Sequence, residues 1–184
     1  MAVKAVEPME ARVTNTGGGA KNRQGNIQIV EFVLGKECFA IDLFDVKEVV
    51  EYTTITKLPN VPAYVKGIID LRGEITTIID LKHRLNIEPS REIIAESSRI
   101  IVLDDNVTGS KIGILVDDVS SVSTFEDRHV DYTSASVSKE DTNIIGIIKR
   151  KIKVKEKEKN ELIIWIDIKQ LLRDISTSSG IHNG

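Results

Sequence analysis

The chain has 184 residues, 41% hydrophobic but only 4% aromatic, with 28 acidic residues against 25 basic for a net charge of −3. That length suits one domain or two small joined ones, able to bury a core without metal or disulfide staples. No stretch approaches the roughly 20 apolar residues of a membrane span, and no basic-then-apolar leader marks a secretory signal. The net negative charge argues against a surface that grips nucleic-acid phosphates as a whole. The single cysteine, Cys38, excludes an internal disulfide and fits a reducing compartment.

Residues 1–26, with Gly17-Gly18-Gly19 among polar residues, lack an apolar period and are expected to form a disordered leader. Ile27–Leu34 and Cys38–Asp42, separated by Gly35-Lys36, read as a hairpin, and Val46, Val49 and Val50 belong to the next extended run, which ends near Pro59 and Pro62. Gly67–Leu71 and Glu74–Asp80 are strands joined through Arg72-Gly73, where glycine supplies a positive φ. Asp80 is placed to cap one or two helical turns carrying Leu81, Leu85 and Ile87. Further strands are expected at Arg99–Leu103, Lys111–Asp117, Asn143–Lys149 and Glu161–Ile166, and Asp167 is placed to cap a last helix with Ile168, Leu171 and Leu172. Residues 176–184 read as a flexible tail. Isoleucine- and valine-rich strands at this spacing indicate small barrels or a sandwich, not an alternating α/β sheet.

The chain also repeats itself. Ala40–Val49 aligns with Gly113–Val122, and Ile78–Lys82 aligns with Trp165–Lys169, in the same order in each half. Each half therefore reads as one β-unit closed by a capped helical turn.

Candidate chemistry is sparse. His83, His129 and His182 have no Cys, His or carboxylate at metal-ligand spacing. Cys38 alternates with Phe39 in a strand and reads as a buried thiol, not a nucleophile. Asp104-Asp105-Asn106 has the composition of a hairpin turn, and Asp118 matches Asp45 in the repeat, which points to a shared structural turn. The densest charge run, residues 149–159, alternates lysine with Ile152 and Val154 and reads as a solvated hairpin with lysines guarding its edges. It has no interleaved aromatics for stacking bases. Surface binding is the default for a duplicated β protein of this kind.

The run Phe39-Ala40-Ile41-Asp42, Val46-Lys47-Glu48-Val49, Leu58-Pro59-Asn60-Val61-Pro62, residues 65–73 (Val65-Lys66-Gly67 through Leu71-Arg72-Gly73) and Ile78-Ile79-Asp80-Leu81 resembles the CheW family pattern. Gly113–Val119 and Ile163–Asp167 resemble its second half, so the likeness covers roughly residues 27–175, in approximate halves 27–98 and 99–175. Asp70 stands where the family usually has Asn, and the lysine-rich hairpin looks longer than usual. The resemblance implies an all-β fold of two interleaved, five-stranded SH3-like barrels with short helices, packed over a shared apolar seam. It implies a non-catalytic cytoplasmic adaptor, recruited to receptor arrays, that joins the helical tip of chemoreceptors to the CheA histidine kinase, without cofactor, metal, nucleic acid or membrane insertion. Carried over by position, Val46, Glu48, Arg72 and Val122 fall on the receptor side, and Gly67 and Val119 at kinase-associated positions. The alternatives are a CheW-like module of a larger signalling protein and, from another class, a small β-barrel nucleic-acid binder or hydrolase.

Overall fold

Tight turns at Gly35, Arg72-Gly73 and Gly109, all with positive φ, divide the β-prone runs into hairpins. The structure, a computed structural model, describes residues 25–87, 97–132, 143–154 and 156–178. The expected leader up to residue 24, its triple glycine included, and the tail beyond Ser178, with His182, lie outside the described residues. In chain order the strands are β1 (Asn26–Leu34), β2 (Glu37–Asp42), β3 (Val46–Glu51), β4 (Val65–Leu71), β5 (Glu74–Asp80), β6 (Arg99–Leu103), β7 (Ile112–Val116), β8 (Asp118–Glu126), β9 (Val130–Asp131), β10 (Ile144–Val154) and β11 (Lys157–Ile166). Helix α1 (Leu81–Arg84) follows β5, α2 (Asp105–Thr108) lies between β6 and β7, and α3 (Ile168–Ser178) follows β11. Asp80, Asp104 and Asp167 cap these helices as Asp side chains do, each carboxylate accepting a first-turn amide at 2.9 Å. Strand β8 was not among the expected elements, because Ser120, Ser121, Ser123 and Thr124 leave little apolar alternation to read.

The strands form two sheets, ordered β8-β1-β2-β11-β10-β9 and β3-β6-β7-β5-β4. Each sheet takes strands from both halves of the chain. The hairpin β1–β2 joins β8, β10 and β11 of the second half, and β6–β7 joins β3, β4 and β5 of the first. The joining pairs are parallel, β2 with β11 and β5 with β7, and their register reproduces the sequence repeat: Ala40 faces Trp165, and its counterpart Gly113 faces Ile78. A β-bulge falls at Lys47 in β3 and at its counterpart Ser120 in β8. A second pair of bulges precedes Gly67 in β4 and Gly146 in β10. Even the short closing contacts correspond, Thr56 bridging Ile68 in one sheet and Asp131 pairing Ile147 in the other. The fold is thus a duplicated unit whose leading hairpins have changed places.

Three apolar clusters follow from this arrangement. The largest lies between the sheets, with Val30, Phe32 and Leu34 from one, Ile101, Leu103, Ile114 and Val116 from the other, and Ile168, Leu171 and Leu172 of α3 sealing it. Each sheet also has its own interior, one around Ile29, Ala40, Ile148, Ile163 and Trp165, the other around Ile69, Ile78, Ile100 and Val102. This mostly β, two-sheet architecture with a shared seam is the one the sequence led us to expect. Ion pairs cross between halves as well: Lys82 after β5 meets Asp117, and Lys169 in α3 meets Asp45 at 2.6 Å. The carboxylate hydrogen bond of Asp45 holds the Lys169 ammonium above its usual lysine range.

Candidate functional site

The β4–β5 hairpin tip folds over the edge strand β3. Asp70 Oδ1 accepts the Gly73 amide at 2.7 Å, and Arg72 itself takes a left-handed φ of 54°, so the two-residue turn is tightly set. From there the Arg72 guanidinium makes a two-pronged pair with Glu48, at 3.1 and 2.9 Å. Because β3 and β4 are the two outer strands of their sheet, this pair and the Thr56–Ile68 bridge close it towards a barrel. Arg72 remains 75% exposed in its side chain, leaving donors for a second partner. Beside it, Lys47 reaches Glu74 at 3.8 Å, and Lys111 joins Glu74 at 3.2 Å to Asp105 at 2.5 Å. The hydrogen bond from Lys111 lowers the Asp105 carboxyl, and those from Asp105 and Glu74 raise Lys111, so both stay charged.

The structure therefore brings Glu48 and Arg72 together, while Val46, two residues earlier on β3, is half-buried against the central core. Val122 and Val119 lie on β8, the corresponding edge strand of the other sheet, opposite Val30 and Phe32 of β1. Val122 is 60% exposed and Val119 is half-buried. Gly67 is buried, at φ 143°, beneath the closing segment: a Cβ built there would stand 2.1 Å from the Thr56 carbonyl oxygen. Its place in the fold is that of a backbone cradle under the Thr56 segment. Three surface apolar side chains in this region were not singled out from sequence: Phe44, 78% exposed, Val49 and Ile75. A run of apolar letters does not announce which of them faces outward.

The remaining polar features are architectural. The lysine-rich segment forms the outer part of the β10–β11 ribbon, past its pairing with β9 at Ile147–Ile148 and with β2 at Ile163–Trp165. Its base is held by Arg150, which joins Glu161 to the fully buried Glu31, at 2.8 Å for the latter. Cys38 sits near this cluster, and burial, then the Glu31 charge, pushes its thiol up to about 11. A thiol held neutral in this way is a poor nucleophile. Asp104 and Asp105 frame a helical turn inside the β6–β7 connection, and Asp117 is engaged by Lys82 and the Gly35 amide. Among the described residues no group of three or more His, Cys, Asp or Glu side chains is placed to hold a metal ion, and no helix is long and apolar enough to cross a membrane.

Comparison with known proteins agrees with the fold. The family model described as a CheW-like domain matches residues 28–176. The chain is 32% identical over 163 residues to the chemotaxis protein CheW of Bacillus subtilis, an alignment covering 88% of this chain and 96% of that one. It is 40% identical over 100 residues to CheW of Treponema pallidum, covering 52% and 56% of the two chains. Among solved structures, the scaffolding protein TtCheW from Thermoanaerobacter tengcongensis superposes with a TM-score of 0.64 at 34% identity, over 80% of this chain and 92% of that one.

Proposed function

The chain belongs to the CheW family of chemotaxis scaffold proteins, and on that premise we propose that it is a non-catalytic adaptor coupling chemoreceptors to the CheA histidine kinase. The observation that carries this reading is the Glu48–Arg72 pair: a paired but largely exposed guanidinium held on the edge strand that also carries Val46. Such a surface suits an amphipathic receptor helix, whose apolar side meets the valines while Arg72 orients a carboxylate or carbonyl. Val122 completes the receptor side from the neighbouring sheet. Val119 and the Gly67 region serve the kinase, Gly67 through the backbone it shapes. The adaptor transforms no substrate and needs no cofactor; it holds kinase and receptor so that the receptor's state shifts the kinase's populations. Its place is the cytoplasm, at membrane-associated receptor arrays. Titrating the full chain with a chemoreceptor cytoplasmic fragment and, separately, with the kinase's regulatory domain tests this. Binding to both, and a ternary complex, is expected; binding to neither overturns the reading.

A further inference from the structure

The two halves of the fold carry equivalent hairpins of unequal length. Gly67 faces Ile78 in the β4–β5 hairpin, and their counterparts Gly146 and Trp165 face each other in the β10–β11 hairpin. From there both ladders run to the same depth, one reaching Leu71 opposite Glu74 and the other Arg150 opposite Glu161. The first then turns back through Arg72-Gly73, while the second runs on, pairing Lys151–Val154 with Lys157–Asn160. The lysine-rich ribbon is thus an extension of the hairpin whose equivalent holds Arg72.

A buried charge cluster fixes the base of this extension. Val102 faces Gly113 as Glu31 faces Ala40, so Glu31 and Arg150 stand where the other half has Val102 and Leu71. Those two belong to one apolar cluster, so the duplicated unit closes there without charge. Arg150 donates to the fully buried Glu31 at 2.8 Å and to Glu161 at 2.9 Å. Against an apolar alternative, such a cluster adds direction more than stability. Its direction is informative, because Glu31 is the ladder partner of Ser121 on β8, the residue before exposed Val122. Ser121 is in turn the counterpart of Glu48 in the repeat. Val46 and its counterpart Val119 pack on the same central cluster, so the edge strands β3 and β8 border one seam.

Residues 149–161 hold seven Lys and Arg against three Glu, a net +4 in a chain of −3. Lys151, Lys153, Lys157 and Lys159 are all exposed. Lys151 has Glu158 at 3.7 Å, but Lys153, Lys157 and Lys159 have no ion-pair partner among the described residues. We infer that the ribbon is a docking arm for the chemoreceptor tip, its unpaired lysines engaging carboxylates on an acidic face of the receptor helix. The inference rests on the adaptor reading proposed above. Two observations argue for that occupant: the ribbon's base reaches the strand beside Val122, assigned above to the receptor side, and its excess positive charge selects an acidic partner. An anionic bilayer fits less well, because Glu156 and Glu158 at the outer end would meet headgroups of like charge.

The test uses the full chain carrying Lys151→Gln, Lys153→Gln, Lys157→Gln and Lys159→Gln together, and a second variant with arginine at the same four positions. Each is titrated at low and high salt with the receptor fragment, the kinase regulatory domain and phosphatidylglycerol vesicles, alongside thermal melts. The glutamine variant is expected to lose about tenfold in receptor affinity at low salt and most of the salt dependence. Its kinase affinity and melting temperature should hold, and the arginine variant should bind receptor as the wild type does. Unchanged receptor affinity in the folded glutamine variant, with the wild type binding normally, overturns the inference and leaves the adaptor reading standing. Wild-type receptor binding that is insensitive to salt overturns it as well. A loss confined to the kinase, or to the vesicles, assigns the ribbon to a different partner and also overturns it. If the wild type binds no receptor, both readings fall.

Discussion

Replacing Gly67 by alanine exposes how tightly one backbone contact closes the second sheet. The added Cβ would stand 2.1 Å from the Thr56 carbonyl oxygen and 2.8 Å from its carbon, with Ile55 Cγ2 at 2.9 Å. Thr56 cannot simply move away, since its amide and carbonyl exchange two 2.9 Å hydrogen bonds with Ile68. Holding a non-glycine residue in a sparsely populated positive-φ region costs about 1–3 kcal/mol. Breaking the bridge costs about 0.5–1.5 kcal/mol for each bond. Together these come to about 4 kcal/mol, a Tm fall on the order of 8–16 °C for a domain of this size. Urea unfolding of the full chain measures it. Gly146→Ala is the informative control: Gly146 follows the corresponding bulge, but its Cβ would meet mainly the Val130 side chain at 2.6 Å, so overpacking of about 1–3 kcal/mol is expected. A Gly67→Ala protein within 1 kcal/mol of wild type would refute the reasoning, showing that the Thr56 segment yields freely. The same arithmetic makes kinase binding by Gly67→Asp interpretable only at temperatures where the variant is folded.

Other outcomes follow from the same geometry. Arg72→Ala removes an exposed pair and should change stability by at most about 1 kcal/mol, while receptor titrations show weaker binding; a collapse in the melt would make Arg72 structural. Arg150→Met strands the fully buried Glu31 carboxylate, so chemical denaturation should show a loss of about 3 kcal/mol, the low end for broken buried pairs because Arg150 keeps some solvent contact; near-neutrality would mean Glu31 is held otherwise. Cys38 should alkylate far more slowly in the native chain than in urea at pH 9, because its thiol is raised from 9.0 to about 11. The unfolded chain releases that proton first, so stability falls as pH rises from about 9 to about 11, and a Cys38→Ser chain should lack this slope.

Much of the architecture was written locally. The apolar runs of Ile27–Leu34 and Gly67–Leu71, the Asp caps at Asp80 and Asp167, the Arg72-Gly73 turn and the repeat of Ala40–Val49 in Gly113–Val122 each depend on neighbours a few residues apart, and such patterns survive in a one-dimensional reading. Strand β8 escaped because its serines and threonine mask a period that only its pairing with β1 reveals. The exchange of hairpins between the halves was beyond local reading too, since a strand's pattern says which face is apolar but not which partner completes its ladder. The site shows the same division. A pair between Glu48 and Arg72 was expected, because the family resemblance puts both near the groove, and it forms between two strands from opposite edges of one sheet. Gly67 was legible as a glycine of interest, yet the carbonyl that forbids a side chain there belongs to Thr56, brought over it by the closing bridge. Phe44 is the sharpest case: by composition it belongs in a core, and it faces water because the 3-10 turn spends its inward directions on Leu43 and Asp45. What the sequence determined alone was most of the strands, the caps and the repeats, which are short-range properties. Which side chains meet and which are left facing solvent was decided by pairings as distant as the 119 residues between Glu31 and Arg150, because only the closed sheets bring such groups within hydrogen-bonding reach.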